Sequence, residues 1–376
     1  MSKAIIFGGG YQIVNLVLLM FQALVFPRFL GLEDYGFGLF LIVPVLIIGG
    51  IWEPVVQRFC IGGTGIPRNW LPGIIGGGAF LYTVYLVFFF PKGYINAEII
   101  ALCVFFLMEY IFSIYFLAIL QAEKKYLLVF FVSLAGLCLS ALTFTLDKHF
   151  WLVTLFYTLY FCPLLLAGLV FVRRKLAMEQ SEFGGVSKIL GAISTRLFYI
   201  IINNLYVIII GAVFGPAKAA VFRVVISFCS AFRFCNPLSI GQFYSMLTNR
   251  SWAQKILLAL LPLSCFYFGV LIIWLTLPWV RTYGEVVLGE NASAVLSFFL
   301  EVAWYVPLYL WTPYLTLLYS EVLGWKEIIA VCAFSLASSV VFIYLDNMQL
   351  FFGAACTAYC AFLILWGVAK KQPLAN

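Results

Sequence analysis

Arginines set inside apolar runs are the side chains of this sequence best placed to do chemistry. Arg196 lies in STRLFYIIINNLYVIIIG, and Asn203 follows seven residues later, close to the same helical face. Arg223 and Arg233 occur together in FRVVISFCSAFRFCNP, with the hydroxyls of Ser227 and Ser230 between them. An arginine facing lipid at mid-span costs about 2.5–3.5 kcal/mol. Guanidiniums here therefore favour a wet interior, where charge-assisted and sometimes bidentate contacts would capture an anionic, phosphate-type group. Arg28 and Arg58 add positive potential from the first part of the chain. The competing reading has Arg196 and Arg223 snorkelling to opposite faces and only anchoring their helices.

Three carboxylates share these surroundings: Glu53 in GGIWEPVVQRF, Glu109 in FFLMEYIFS and Glu301 in FFLEVAWYVP. Each would either carry an ion, coupling some process to H+ or Na+, or pair with an arginine across an interior space. No other cofactor is expected. His149 is the one histidine of the sequence and has no evident catalytic partner in LDKHFW, so neither a histidine metal cluster nor acid–base catalysis is indicated. The glycines of IIFGGGYQ lack the Lys-Ser/Thr and the strand of a phosphate loop. The expectation is a protein that is not an enzyme.

The elements that must position these residues follow from composition. The 376 residues are 65% apolar and 10% charged, against about 25% charged in soluble domains. Lipid must then be the solvent for much of the surface. Apolar runs at about residues 5–26, 35–56, 71–91, 96–119, 126–145, 150–172, 190–213, 218–239, 253–276, 295–319, 325–345 and 349–369 are each long enough to cross a core of about 30 Å as helices. A transmembrane barrel would show short alternating segments instead. The fold expected is an all-α polytopic membrane protein of about twelve transmembrane helices. With the N-terminus cytoplasmic, fourteen lysines and arginines fall on that side and five on the other, which places both termini in the cytoplasm. In a membrane chain the net charge of +7 is this asymmetry, and it does not point to nucleic acid. The ten cysteines sit mostly inside apolar runs, where they fill gaps in the packing. Pro54, Pro237, Pro262, Pro307 and Pro313 interrupt or border helices, and each removes a backbone donor and permits a bend.

The longest polar interruption, VRRKLAMEQSEFGGVSKIL, divides six spans from six. It predicts an N-terminal six-helix lobe over 1–172, a cytoplasmic linker over 173–189 and a C-terminal six-helix lobe over 190–376, around a central cavity. A repeated corner supports the division. FLGLEDYG overlies VFGPAKAA when Gly31 is matched to Gly215, an offset of 184 residues. In both, a span ends in Leu/Phe-Gly, a short charged turn follows and a new span resumes.

These corners carry a resemblance to a known family. Arg28, Leu30, Gly31, Tyr35 and Gly36 resemble the early R-x-LG-x-x-x-YG corner of the polysaccharide transporters, including O-antigen flippases, of the multidrug/oligosaccharidyl-lipid/polysaccharide exporter superfamily. Gly211, Gly215 and Pro216 in GAVFGPAKAAVF resemble its second corner, with Phe222 where tyrosine is usual and alanines where a glycine commonly follows proline. The resemblance implies two six-helix lobes arranged as a V, alternating access, and residence in the bacterial inner membrane. It also implies flipping of an undecaprenyl-diphosphate-linked oligosaccharide to the periplasmic leaflet. Its partners would then be that polyprenyl-diphosphate-linked glycan, membrane lipids and other glycan-assembly proteins such as a polymerase, and not nucleic acid. Two alternatives stay open: an ion-coupled multidrug exporter, which a surplus of interior carboxylates would favour, and a membrane-embedded glycan polymerase or ligase, which would need larger external loops than this sequence has.

Overall fold

The computed structural model describes residues 13–61, 70–123, 125–172, 185–232, 269, 278–320, 322–345 and 347–371. All of the regular structure among them is helical. The first half contributes α1 (Ile13–Leu30), α2 (Leu32–Ile61), α3 (Trp70–Phe89), α4 (Ala97–Ala122), α5 (Tyr126–Ser140) and α6 (Leu152–Val172). In the second half α7 runs from Gly185–Ile200 through a π turn at Ile201–Leu205 into Tyr206–Phe214. After it come α8 (Pro216–Phe232), α9 (Pro278–Leu288), α10 (Ala292–Val302), α11 (Val306–Ser320), α12 (Trp325–Tyr344) and α13 (Met348–Lys371). The predicted span at 253–276, apart from residue 269, and the second part of that at 218–239 lie outside the described residues, as do Pro237, Pro262 and most of the predicted linker.

Nine helical stretches among the described residues are long and apolar enough to cross a bilayer, and Pro72–Phe88 is a shorter apolar one. Their outer faces are apolar as well: Phe88 is 74% exposed, and Val170 72%. Water would penalise such a surface, whereas lipid tails do not. Helices are forced in this setting because each backbone N–H and C=O must be satisfied within its own segment. Polar side chains act mainly at the ends. Asn96 accepts from the Ile99 amide at 2.9 Å to start α4, and Asn347 accepts from the Leu350 amide at 2.9 Å to start α13.

The repeated corner is a repeat in three dimensions. Gly31 has φ 85° and ψ 164°, and Gly215 has φ 91° and ψ 166°, a conformation that only glycine adopts readily. Each corner carries the same two bonds, Gly31 N–H to the Pro27 carbonyl and Tyr35 N–H to Gly31, against Gly215 N–H to Gly211 and Ala219 N–H to Gly215. A π turn precedes each corner, at Phe21–Val25 in α1 and Ile201–Leu205 in α7. These turns are offset by 180 residues where the corners are offset by 184. The second half thus has about one more helical turn between them.

The halves meet where α2 packs along α7 and α8, and where the π turn of α1 packs against α8. Close approach depends on missing side chains: a Cβ on Gly36 would lie 2.1 Å from the Pro216 carbonyl oxygen, and one on Gly211 2.1 Å from the Phe40 ring. At the corner end the seam is also held by polar contacts. Arg28 donates to the Val286 and Val287 carbonyls at 3.0 and 3.5 Å, at the electronegative C-terminus of α9. Asn291 returns a bond of 3.0 Å to the Pro27 carbonyl.

Candidate functional site

Away from the corners the seam opens into a cavity of about 190 Å³, lined from the first half by Leu19, Leu46, Gly50, Glu53 and Tyr110. The second half contributes Arg196, Tyr199, Ile200, Asn203, Asn204, Arg223, Ser227 and Ser230. Arg223 lies eight residues beyond Gly215, about 12 Å along α8, so it forms the inner floor. Arg196 and Glu53 lie about 30 Å along their helices from the corners and form the mouth. Among the described residues the cavity is therefore closed toward the corners, with the partly exposed Arg196 and Glu53 at its other end.

Arg223 is the centre of the site. It is buried, and its guanidinium donates to the Asn203 carbonyl at 2.7 Å, to the Asn204 carboxamide oxygen at 3.4 Å and to Gln22 Oε1 at 3.0 Å. Gln22 in turn donates to the buried Tyr157 hydroxyl. Both π turns serve this guanidinium. Gln22 sits in the first and Asn203 and Asn204 in the second, where the widened ladder takes carbonyls off the ordinary i+4 pattern. All three acceptors are neutral, and no carboxylate lies within ion-pair distance of Arg223 among the described residues. Among the described residues its Nε–H is without a partner, and so is the buried hydroxyl of Ser227 one helical turn on. A positive charge with a donor to spare, beside an unengaged hydroxyl, is a constellation suited to an anionic oxygen.

Around it the polar groups are tied down. Asn203 donates to the Tyr199 carbonyl at 2.7 Å and accepts the Tyr309 hydroxyl at 2.8 Å, and Tyr309 also meets Ser230 at 2.7 Å. At the mouth, Arg196 pairs with Glu53 across the seam at 2.9 Å, with the side chains 41% and 31% exposed. The structure thus brings Arg196, Arg223, Asn203 and Glu53 to one cavity. The Arg196 charge is compensated there by a carboxylate and that of Arg223 is not.

The remaining sequence candidates lie elsewhere. Arg28 caps α9 at the corner end rather than facing the cavity. Glu301 accepts from Gln349 in a separate pocket near the corners. Glu109 is buried inside the first half, with both carboxylate oxygens unpartnered among the described residues and Cys162 as a neighbour. The next residue, Tyr110, reaches the cavity. Arg233 and the side chain of Arg58 lie outside the described residues. Among the described residues no group of three His, Cys, Asp or Glu side chains is arranged to hold a metal ion. Sequence reasoning missed Gln22, Asn204 and Tyr157. The signal for Gln22 is a lone carboxamide in the apolar run FQALVF.

No family model matches the chain, and neither does any curated protein. Solved structures do match over nearly its whole length. A MATE protein in complex with MaD3S is 12% identical with a TM-score of 0.51, over 98% of this chain and 97% of that one. The outward-facing conformation of a multidrug resistance MATE family transporter of the MOP superfamily is 12% identical with a TM-score of 0.51, over 98% and 94%. A MATE transporter in the bent conformation is 13% identical with a TM-score of 0.51, over 100% and 96%. At such identity the likeness shows the fold alone: this chain has the all-α, multi-pass fold of these structures. It also corrects one expectation. The polyprenyl-diphosphate-linked oligosaccharide, and the glycan-assembly proteins expected with it, rested on the corner resemblance alone. The matching structures are MATE transporters rather than polysaccharide flippases, which overturns that partner assignment.

Proposed function

We propose that this chain is an ion-coupled exporter of small amphipathic organic molecules that carry an anionic group. One observation supports the reading above the rest: among the described residues Arg223 lines the cavity between the halves with no carboxylate beside it and with its Nε–H unengaged. A cation would be repelled from this floor, since the one carboxylate that lines the cavity among the described residues, Glu53, is paired to Arg196. An anion would gain the guanidinium and the Ser227 hydroxyl, while Leu19, Leu46 and Ile200 take its apolar part. The lysine and arginine asymmetry of the loops supports a cavity mouth on the cytoplasmic side, with the corners outside. Residues 1–172 and 190–376 act as the two rocking lobes.

Release to the other side requires the corner contacts to part. Arg28 must leave α9, Asn291 must leave Pro27, and the Arg223 to Gln22 bond, which joins the halves, must break. Glu109 is assigned the coupling role. An unpartnered carboxylate in so apolar a place needs either a proton or a small cation as companion, and exchanging it would change the packing of α4 against α6. The test is transport in proteoliposomes under an imposed H+ or Na+ gradient, with matched anionic and cationic amphiphilic fluorophores. Gradient-driven, protein-dependent movement of the anionic fluorophore is expected, with loss in Arg223→Gln. Movement of the cationic fluorophore alone, or none by correctly folded protein, would refute the proposal.

A further inference from the structure

A second cavity, of about 400 Å³, lies at the corner end, beyond the seam that closes the transport cavity. Leu32 and Lys218, each within three residues of a corner glycine, fix its depth at the end of the bundle, and Asn347 at the turn between α12 and α13 does the same. Lys218 and Glu301 both line it yet do not pair with one another, and neither has another ionic partner among the described residues. Glu301 is engaged by Gln349, which donates to one carboxylate oxygen, and Lys218 stands exposed on the first turn of α8.

The hydrogen-bonding capacity left over is sorted by sign. Lys218 offers three ammonium N–H groups, and Asn347 keeps its amide N–H groups because its oxygen is spent on the Leu350 amide. On the other side, Glu301 Oε1 and the carboxamide oxygen of Gln349 are acceptors. Apolar Leu32, Val221, Phe298 and Met348 also line the space; Leu300 and Leu350, 42% and 37% exposed, neighbour Glu301 and Gln349 in sequence, and Leu345, 63% exposed, comes two residues before Asn347. A ligand that fills this space is negative at one end, carries a primary ammonium at the other, and continues into hydrocarbon.

We infer that this cavity is a binding site for an aminophospholipid of the phosphoethanolamine class, with the phosphate on Lys218 and Asn347 and the ammonium on Glu301 and Gln349. The acyl chains run over Leu300, Leu345 and Leu350 within the bilayer. A choline headgroup fits less well, because its quaternary ammonium has no N–H to donate to the carboxylate. A glycerol headgroup brings no cation to Glu301.

The site is tested by titrating the purified full-length protein with short-chain phosphatidylethanolamine, phosphatidylcholine and phosphatidylglycerol, following bound lipid by native mass spectrometry. The ethanolamine lipid is expected to bind about tenfold more tightly than either of the others, as one charge-assisted hydrogen bond provides. Glu301→Gln should bring the ethanolamine and choline lipids level. Lys218→Ala should weaken all three while leaving elution and melting unchanged, and it carries the test if Glu301→Gln fails to fold. Free phosphoethanolamine is the control for a soluble ligand, and competition by it at the lipid's own concentration would overturn the lipid assignment. Equal binding of the three lipids by the wild type, or an undiminished ethanolamine preference in Glu301→Gln, would overturn the site.

Discussion

Replacing Gly36 by alanine should loosen the seam between the halves at one identifiable point. The new methyl would lie 2.1 Å from the carbonyl oxygen of Pro216, 2.4 Å from its carbonyl carbon and 2.8 Å from its Cβ. Two of those atoms are backbone at the start of α8, so no rotamer can clear them, and α2 and α8 must separate by roughly 1 Å or more to reach ordinary contact. Overpacking of this kind costs about 1–3 kcal/mol. Applied to the closed corner, that corresponds to about 5- to 150-fold in the ratio of closed to open seam. Hydrogen–deuterium exchange reads it without labels, since the Tyr35 and Ala219 amides bond within the two corners. Their exchange should quicken by a factor in that range, with the first turns of α2 and α8 opening together. Gly211→Ala meets the Phe40 ring, which can swing aside, and should have a smaller effect. Gly76→Ala in α3 meets nothing within 4 Å and should stabilise its helix, by about 1 kcal/mol or less. Unchanged exchange at both corners in Gly36→Ala, or an equal change in Gly76→Ala, would refute the reasoning.

Other consequences are open to direct measurement. Gly31→Ala and Gly215→Ala should each lower stability by about 1–3 kcal/mol, and by similar amounts, because both residues hold the same left-handed conformation; dissimilar melting losses would argue against equivalent corners. The Arg196 to Glu53 pair is partly exposed, so a double-mutant cycle on thermal stability should give a coupling of about 0–1 kcal/mol. Glu109→Gln should keep or raise stability, since it removes an unpartnered buried carboxyl. The same variant should retain substrate counterflow and lose gradient-driven transport, and gradient-driven transport at the wild-type rate would remove Glu109 from the coupling role.

The parts of this structure legible in the sequence are those that depend on one residue and its near neighbours. Uninterrupted apolar runs predict spans because a bilayer leaves the backbone no alternative to the helix. The Gly31 and Gly215 corners show as a repeat because their backbone conformation requires glycine in both halves. The arginines stand out because charge in an apolar run demands an explanation. Their fates could not be read in the same way. Arg28 and Arg223 look alike as isolated cations, yet one caps α9 across 258 residues of chain and the other is held by a carboxamide 201 residues away. Gln22 and Asn204 become partners of Arg223 only through two π turns, and a π turn leaves no clear composition signature. Nor does the sequence show that Glu53 falls opposite Arg196 and Glu301 opposite Gln349, since both pairings depend on how helices cross.

The claim on which the account turns is that Arg223 offers its charge to a bound anion. The direct test is calorimetric titration of the protein in lipid nanodiscs with two amphiphiles of one aromatic frame, an arylsulfonate and an aryl trimethylammonium. The account predicts that the sulfonate binds more tightly by about tenfold or more and that Arg223→Gln abolishes the difference, as the loss of one charge-assisted contact requires. Tighter binding of the ammonium, or a sulfonate preference that survives in a folded Arg223→Gln protein, would contradict it.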